Sequence, residues 1–371
     1  MSARLCCAGC GVPLQDVDPG IEGYVPPEKL AEGGPLFCRR CFKITHYGEY
    51  HPFEVTPEQY REEVDAALKK AGVVLAIFDI ADFEGSFAPE ILDILRERDA
   101  IVVINKIDLL AREKHPSKLS AWVGKRLAEE GVVPLDMAFT STKTGYGVSG
   151  IYKRLKTRFP DGVTAAVLGV TNTGKSSIIN RLTGQKRITV SKYPGTTRKA
   201  IKTAITDIKA TILDTPGLIA RGGFTDLLCA QCVQRLIPSS GLKGTEFKGA
   251  EDRMILIERL LWLRPFRVGE IKPAFTVWCA DTLHVHETGA KKGPELFLGD
   301  LPGCRELLPL PCEHCGADYR KRKFTKLRKT VNPGEDLVIK GLGWIAVRRG
   351  PVALEVCLPA DVDVVIRQSL L

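Results

Sequence analysis

Gly169-Val170-Thr171-Asn172-Thr173-Gly174-Lys175-Ser176 matches the phosphate-loop pattern G-x-x-x-x-G-K-[ST] at every fixed position. The glycines let backbone N–H groups curl round phosphate oxygens, and a helix opening at the loop adds its partial positive charge. The residues expected to touch phosphate are Gly169, Asn172, Thr173, Gly174, Lys175, Ser176 and Ser177. Lys175 is expected to reach the β and γ phosphates, and the Ser176 hydroxyl to ligate Mg²⁺. Downstream, Pro194-Gly195-Thr196-Thr197-Arg198 reads as a first switch, with Thr197 as a second hydroxyl ligand. Asp214-Thr215-Pro216-Gly217 ends an apolar run. There Asp214 is placed to hold the metal, and the Gly217 N–H to sense a γ-phosphate.

A second constellation lies upstream. Asn105-Lys106-Ile107-Asp108 follows the apolar run Ala100–Ile104. A carboxylate at Asp108 can accept from the guanine N1–H and N2–H₂ edge, a donor pair that adenine lacks, so this position selects GTP over ATP. Asn105 is expected to tie the segment to the phosphate loop, and the Lys106 stem to lie over the base. Ser141-Thr142-Lys143, after the strand-like stretch 133–139, resembles a weaker base-supporting motif.

These residues need strands to end where the ligand begins. Val163–Leu168 reads as a buried strand before the phosphate loop, and Ser177–Leu182 as the helix after it. Val73–Ile80 and Ala210–Leu213 add strands, while 58–71 and 87–98 read as helices. The fold class is therefore α/β, a doubly wound parallel sheet. In an ordinary small GTPase the phosphate loop comes first and the NKxD segment near the end. Here the order is base, base, phosphate loop, first switch, second switch. A doubly wound sheet tolerates such a cut because its loops and termini lie at the surface.

The chain resembles the circularly permuted GTPases of the YqeH family, bacterial ribosome-assembly factors with organellar relatives. The resemblance rests on the permuted motifs, Cys7-Ala8-Gly9-Cys10-Gly11-Val12, Cys38-Arg39-Arg40-Cys41-Phe42 and Phe78–Ser86. Gly341-Leu342-Gly343-Trp344 and the closing Ile366-Arg367-Gln368-Ser369-Leu370 extend it to the C-terminal end. It implies a GTPase that binds an assembling small (30S) ribosomal subunit through rRNA or a ribosomal protein. It also implies a C-terminal domain related to an RNA-binding regulatory fold. Nitric-oxide synthesis, attached by name to some organellar relatives, has no haem or flavin motif here to support it.

Leu218 stands where many GTPases place a water-orienting Gln. Its side chain makes no hydrogen bond, so intrinsic hydrolysis is expected to be slow unless charge comes from elsewhere. Asn172 matches the phosphate-loop Asn with which related hydrophobic-substituted GTPases bind K⁺. The expectation is K⁺-stimulated hydrolysis, with the catalytic residues Lys175, Asn172, Thr197 and Gly217. Asn172 also suits a tight turn on its own account.

Of twelve cysteines, Cys7, Cys10, Cys38 and Cys41 form two C-x-x-C knuckles round a segment rich in Gly and Pro. Four thiolates suit a closed, structural Zn²⁺ site. Cys229-x-x-Cys232 falls in the stretch 226–237, read as a helix, where such spacing marks one helix face. Cys312-Glu313-His314-Cys315 reads as a knuckle without an evident second pair, and Cys304, His284 or His286 could complete it.

The net charge of +9 favours a polyanionic partner. The run Tyr319–Lys329 could neutralise RNA phosphates while Tyr319 or Phe324 stacks on a base, or it could be a solvated helix face. Three parts are expected: a zinc module (1–50), the permuted GTPase domain (58–224) and a mainly β, α+β C-terminal domain (225–371), with 238–249 as a link. No leader and no apolar run of membrane length is present, so the expected place is the bacterial cytoplasm, with no membrane partner. A second reading is a nucleotide-dependent RNA chaperone or scaffold in which hydrolysis is incidental. Kinase chemistry is opposed by the NKxD segment and the two switches.

Overall fold

The computed structural model describes residues 5–30, 36–47, 56–110, 116–184, 199–266, 271–299 and 303–370. It divides into two compact units, one of Met1–Asp108 with Val123–Ala220 and one of Leu109–Trp122 with Arg221–Leu371.

The first unit is built on six strands: β1 Val73–Asp79, β2 Ala100–Asn105, β3 Asp136–Phe139, β4 Val163–Leu168, β5 Ile201–Ile205 and β6 Ala210–Asp214. Their order is β3-β2-β1-β4-β6-β5. Every neighbouring pair is parallel except β5 with β6. β1 and β2 are buried along their whole length, as strands covered on both faces must be. One core gathers Leu75, Ile77, Ile101, Val103, Val167 and Ile212 from the sheet with Ile151, Ile178 and Ile179 from helices. The chain winds from β1 towards β3 on one side and from β4 towards β5 on the other. Parallel pairing brings the C-terminal ends of β1, β2, β4 and β6 to one edge, with the switch of direction between β1 and β4. Ligands of open α/β sheets bind at that place.

In the same unit the N-terminal knuckle rests on the residues just before β5. Lys199 N–H donates to the Cys10 carbonyl at 3.1 Å. Gly11 lies at φ +77°, and a Cβ there would come within 2.7 Å of the Lys199 carbonyl oxygen. A left-handed glycine is therefore required on both conformational and steric grounds.

The second unit is antiparallel. Its strands are β7 Leu242–Lys248, β8 Arg253–Ile257, β9 Leu261–Pro265, β10 Ala274–Ala280, β11 Val285–Gly289, β12 Phe324–Val331, β13 Glu335–Ile339, β14 Gly343–Arg349, β15 Val352–Pro359 and β16 Val364–Gln368. They form two five-stranded sheets, β16-β13-β14-β10-β7 and β11-β8-β9-β15-β12. One core joins them, with Phe275, Val277, Leu337 and Ile345 from the first sheet and Ile255, Leu263, Leu354 and Val356 from the second. The GLGW and IRQS segments meet here. Gly343 runs so close to β10 that a Cβ would lie 2.0 Å from the Trp278 carbonyl oxygen. Arg367 lies over the rings of Trp344 and Trp122 and pairs with the buried Asp336 at 3.5 Å.

Several expectations for this unit are corrected. The link 238–249 contains β7, a full edge strand paired with β10. The helix read across 226–237 is a 3₁₀ turn at Phe224–Asp226 followed by a helix at Ala230–Leu236. The basic run is not a helix face beyond Arg320. It continues as edge strand β12, where Arg328 pairs with Glu355 at 2.8 Å and the Lys326 ammonium lies over the Trp262 ring. Tyr319 is a core residue, 1 % exposed, whose hydroxyl donates to the Leu260 carbonyl at 2.6 Å, so its ring is closed to a base.

Candidate nucleotide site and cysteine clusters

β4 delivers its last residue, Leu168, to the phosphate loop, and the helix Lys175–Thr183 opens directly behind it. Gly174 lies at φ +96°, and a Cβ there would fall 2.2 Å from Asn105 Nδ2. That amide is the joint between the two constellations. Asn105, fully buried, donates from Nδ2 to the Thr173 carbonyl at 2.8 Å. Its Oδ1 accepts from the Thr140 hydroxyl at 3.2 Å and the Thr142 N–H at 3.3 Å. One side chain thus holds the NKxD turn, the phosphate loop and the Ser141 segment together. Ser141 closes its own turn, its hydroxyl accepting from Thr144 N–H, and the Lys143 carbonyl accepts from Arg181 on the phosphate-loop helix. Asp108 is half-buried in the 3₁₀ turn Ile107–Leu109 after β2.

Lys175 folds back over the loop, its Nζ donating to the carbonyls of Gly169 and Val170 at 3.0 Å each. Burial pushes its ammonium down to about 8, against the opposing pull of the Asp214 carboxylate. The Ser176 hydroxyl donates to Asp214 Oδ2 at 3.3 Å. A hydroxyl and a carboxylate at this edge form an oxygen donor set that suits Mg²⁺. Asn172 lies at φ +65°, a left-handed conformation that Asn tolerates better than most residues, so its loop-shaping role is present in the geometry.

The segment after Asp214 runs against the phosphate loop. Leu218 N–H donates to the Gly169 carbonyl at 3.1 Å, and Thr171 N–H donates to the Leu218 carbonyl at 2.8 Å. The Leu218 residue is 9 % exposed. A Cβ on Gly217 would lie 2.8 Å from Lys175 Nζ and 3.1 Å from Thr171 Cα, so little but glycine fits there. Thr197 and the rest of 194–198 lie outside the described residues.

The Lys106 side chain goes where the spacing did not indicate. Its ammonium pairs with Asp79 at the end of β1. Asp79 Oδ1 accepts from Ala81 N–H at 2.9 Å, and the Asp79 N–H donates to the Ser86 hydroxyl at 3.1 Å. The Phe78–Ser86 segment is therefore the brace that sets Lys106. An acidic residue closing a buried strand was the available signal for it.

Two sets of four cysteines converge. In the first unit the sulfurs of Cys7, Cys10, Cys38 and Cys41 lie within 4.8 Å of one another, all buried. Cys7 Sγ accepts from Gly9 N–H at 3.4 Å and from Cys38 N–H at 3.2 Å. Hydrogen bonding from Cys10 and the other two thiols holds Cys7 below the ordinary thiol range. In the second unit Cys229, Cys232, Cys312 and Cys315 also lie within 4.8 Å of one another. This corrects the reading of Cys229 and Cys232 as a helix face. It also corrects the choice of Cys304, His284 or His286 as companions of the Cys312 knuckle. His284 Nδ1 lies instead 3.1 Å from Glu258 Oε1. No helix among the described residues is long and apolar enough to cross a membrane.

Residues 164–239 match the model of a family described as 50S ribosome-binding GTPase, and residues 272–370 match that of the YqeH-like C-terminal domain. The protein YqeH of Bacillus subtilis is 28% identical, the match covering 99% of this chain and 100% of that protein. Nitric oxide-associated protein 1 of Mus musculus is 29% identical over 53% of this chain and 36% of its own length. GTPase Der of Alkaliphilus oremlandii is 27% identical over 50% of this chain and 42% of its own length. The protein is a GTPase, using GTP, GDP and Mg²⁺, and is related to the ribosome-biogenesis GTPases. Its NKxD segment precedes its phosphate loop, and the YqeH-like match at 272–370 follows both. In its order of motifs and in its C-terminal region the chain resembles the YqeH-like circularly permuted GTPases.

Proposed function

We propose that the protein binds an assembling small (30S) ribosomal subunit, or its precursor, and uses GTP hydrolysis to time its release. The observation that carries the nucleotide part is the Asn105 side chain, which fastens the NKxD turn to the phosphate-loop carbonyl of Thr173. Asp108 reads the guanine edge, with Lys106, Ser141, Thr142 and Lys143 shaping the base end. The N–H groups from Gly169 to Ser177 and the Lys175 ammonium hold the phosphates. Ser176, Thr197 and Asp214 would hold Mg²⁺, which would supply positive charge to neutralise the phosphate oxygens. Water attacks the γ-phosphorus as its bond to the bridging oxygen breaks, giving GDP and phosphate.

Leu218 contributes no side-chain hydrogen bond to this water. Asn172 would then support a K⁺ ion that supplies charge at this site, with hydrolysis expected to run faster in K⁺ than in Na⁺. Cys7, Cys10, Cys38 and Cys41 hold a structural zinc ion that folds the N-terminal module. The exposed cations of the second unit and of the module meet rRNA, with a ribosomal protein as a further contact.

The test is sedimentation with purified 30S and 50S subunits in the presence of GTP, GDP or a non-hydrolysable GTP analogue. Preferential, GTP-dependent comigration with 30S particles is expected. Comigration with 50S alone would reject the subunit assignment. A Lys175→Ala chain that no longer binds GTP yet still binds and matures subunits would favour the scaffold reading.

A further inference from the structure

We propose that Cys229, Cys232, Cys312 and Cys315 hold a second, structural zinc ion inside the C-terminal unit. The sulfurs of Cys229 and Cys312 lie 3.5 Å apart, those of Cys232 and Cys315 3.6 Å, and those of Cys312 and Cys315 3.7 Å. A zinc–sulfur bond of about 2.3 Å places the corners of a tetrahedron about 3.8 Å apart. A disulfide would need about 2.05 Å. The four thiols are thus spaced as ligands of one ion, with no corner left for a substrate.

The local structure is built twice. Cys229 caps the helix Ala230–Leu236 and Cys312 caps the helix Glu313–Arg320, so each second cysteine sits in the first turn behind its partner. A backbone donor is aimed at sulfur across the pair, Cys312 N–H donating to Cys232 Sγ at 3.4 Å. The N-terminal cluster uses the same device at Cys7. Such N–H···S contacts favour thiolate and orient it for metal.

Packing alone does not explain the group. A free cysteine buried for its bulk behaves as a small apolar side chain. Here Cys229, Cys312 and Cys315 are only half-buried at the margin of the core, and the four sulfurs converge on one another. The remaining cysteines of this unit, Cys279, Cys304 and Cys357, are buried singly.

The frame that presents the second knuckle is rigid. Arg259 donates from Nε to the Leu308 carbonyl at 2.8 Å and from a terminal nitrogen to the Pro311 carbonyl at 3.1 Å. The Leu310 N–H donates to Glu258 Oε2 at 3.0 Å. Glu258 Oε1 also accepts from Arg235, on the helix that carries Cys232. Both knuckles are therefore fixed to the same β8–β9 turn. Zinc here would clip the segment that enters the unit at Arg221 to a helix met much later in the chain.

Metal analysis of the full chain, purified under reducing conditions without chelator, is the test. Two zinc ions per chain are expected, falling to one in Cys7→Ser/Cys10→Ser and to one in Cys229→Ser/Cys315→Ser. A single ion in the unsubstituted chain that the Cys229→Ser/Cys315→Ser variant retains would overturn the second site. A single ion retained by Cys7→Ser/Cys10→Ser would instead overturn the N-terminal assignment and leave this one standing. Cobalt exchange into the unsubstituted chain gives a reading free of any folding defect. Thiolate-to-cobalt absorption saturating at two equivalents supports the proposal, and saturation at one that survives in Cys229→Ser/Cys315→Ser overturns it.

Discussion

Lys175 shows how burial tunes a single charge for its ligand. Desolvation brings the ammonium down to about 8 while it rests on loop carbonyls. Contact with phosphate would restore its charge, so nucleotide binding above pH 8 takes up a proton. GTP and GDP affinity should then fall by up to about tenfold per pH unit above 8. Calorimetric titration in buffers of different ionisation enthalpy would expose the proton uptake, and a flat affinity from pH 7 to 9 would refute it. The same shift acts on the nucleotide-free fold in the opposite sense. Between pH 8 and the ordinary lysine value of 10.5 the unfolded chain holds more protons, so this group's contribution to stability rises with pH. At the base end, Asp108→Asn should cost GTP about 10⁴-fold in kcat/KM, because the guanine donors lose their acceptor. It should raise activity on XTP, whose 2-oxo group accepts from the new amide. Asn172→Ala should leave GTP binding nearly intact and abolish the difference between rates in KCl and NaCl.

The elements show why these side chains meet. Four strand ends share one edge, so turns distant in the chain become neighbours, and Asn105 bonds them. Gly174 is shaped to admit that amide. Gly174→Ala would drive Cβ into Asn105 Nδ2 and strain a left-handed backbone. The second unit has its own joint at Arg367, 2 % exposed in its side chain and paired with a fully buried Asp336. Arg367→Ala would leave Asp336 buried without its cation and remove the cover between Trp122 and Trp344. Such a loss costs about 3–5 kcal/mol, to be read as a lower urea midpoint at unchanged m-value. Wild-type stability in that variant would place the weight of the unit elsewhere.

For the molecule as a whole, permutation decides what the second switch can pull on. Chain order places the segment that carries Cys229 shortly after Leu218, with the YqeH-like match following at 272–370, so any ordering of Gly217 by a γ-phosphate would act on a segment that leads into that region. If the exposed cations meet rRNA as proposed, that binding should weaken steeply with salt. The neutralisation of each phosphate removes close to one unit from the log–log slope. Arg328 is already engaged by Glu355, so Arg328→Ala should alter that slope less than substitution of the exposed Lys329.

The chemistry of the site was legible in the chain because each motif is local. A glycine loop, an NKxD turn or a C-x-x-C knuckle fixes its backbone shape within a few residues, and its order along the chain revealed the permutation. What tertiary structure alone decided was which local pieces meet. Lys106 turns to Asp79 because β1 and β2 pair in register. Tyr319 is buried by the β8–β9 turn rather than offered to a base. Cys229 and Cys232 find Cys312 and Cys315 because two antiparallel sheets close on one core. Spacing along a strand or helix is set by bond geometry, whereas encounters between distant segments are set by sheet register and packing, which no single segment contains.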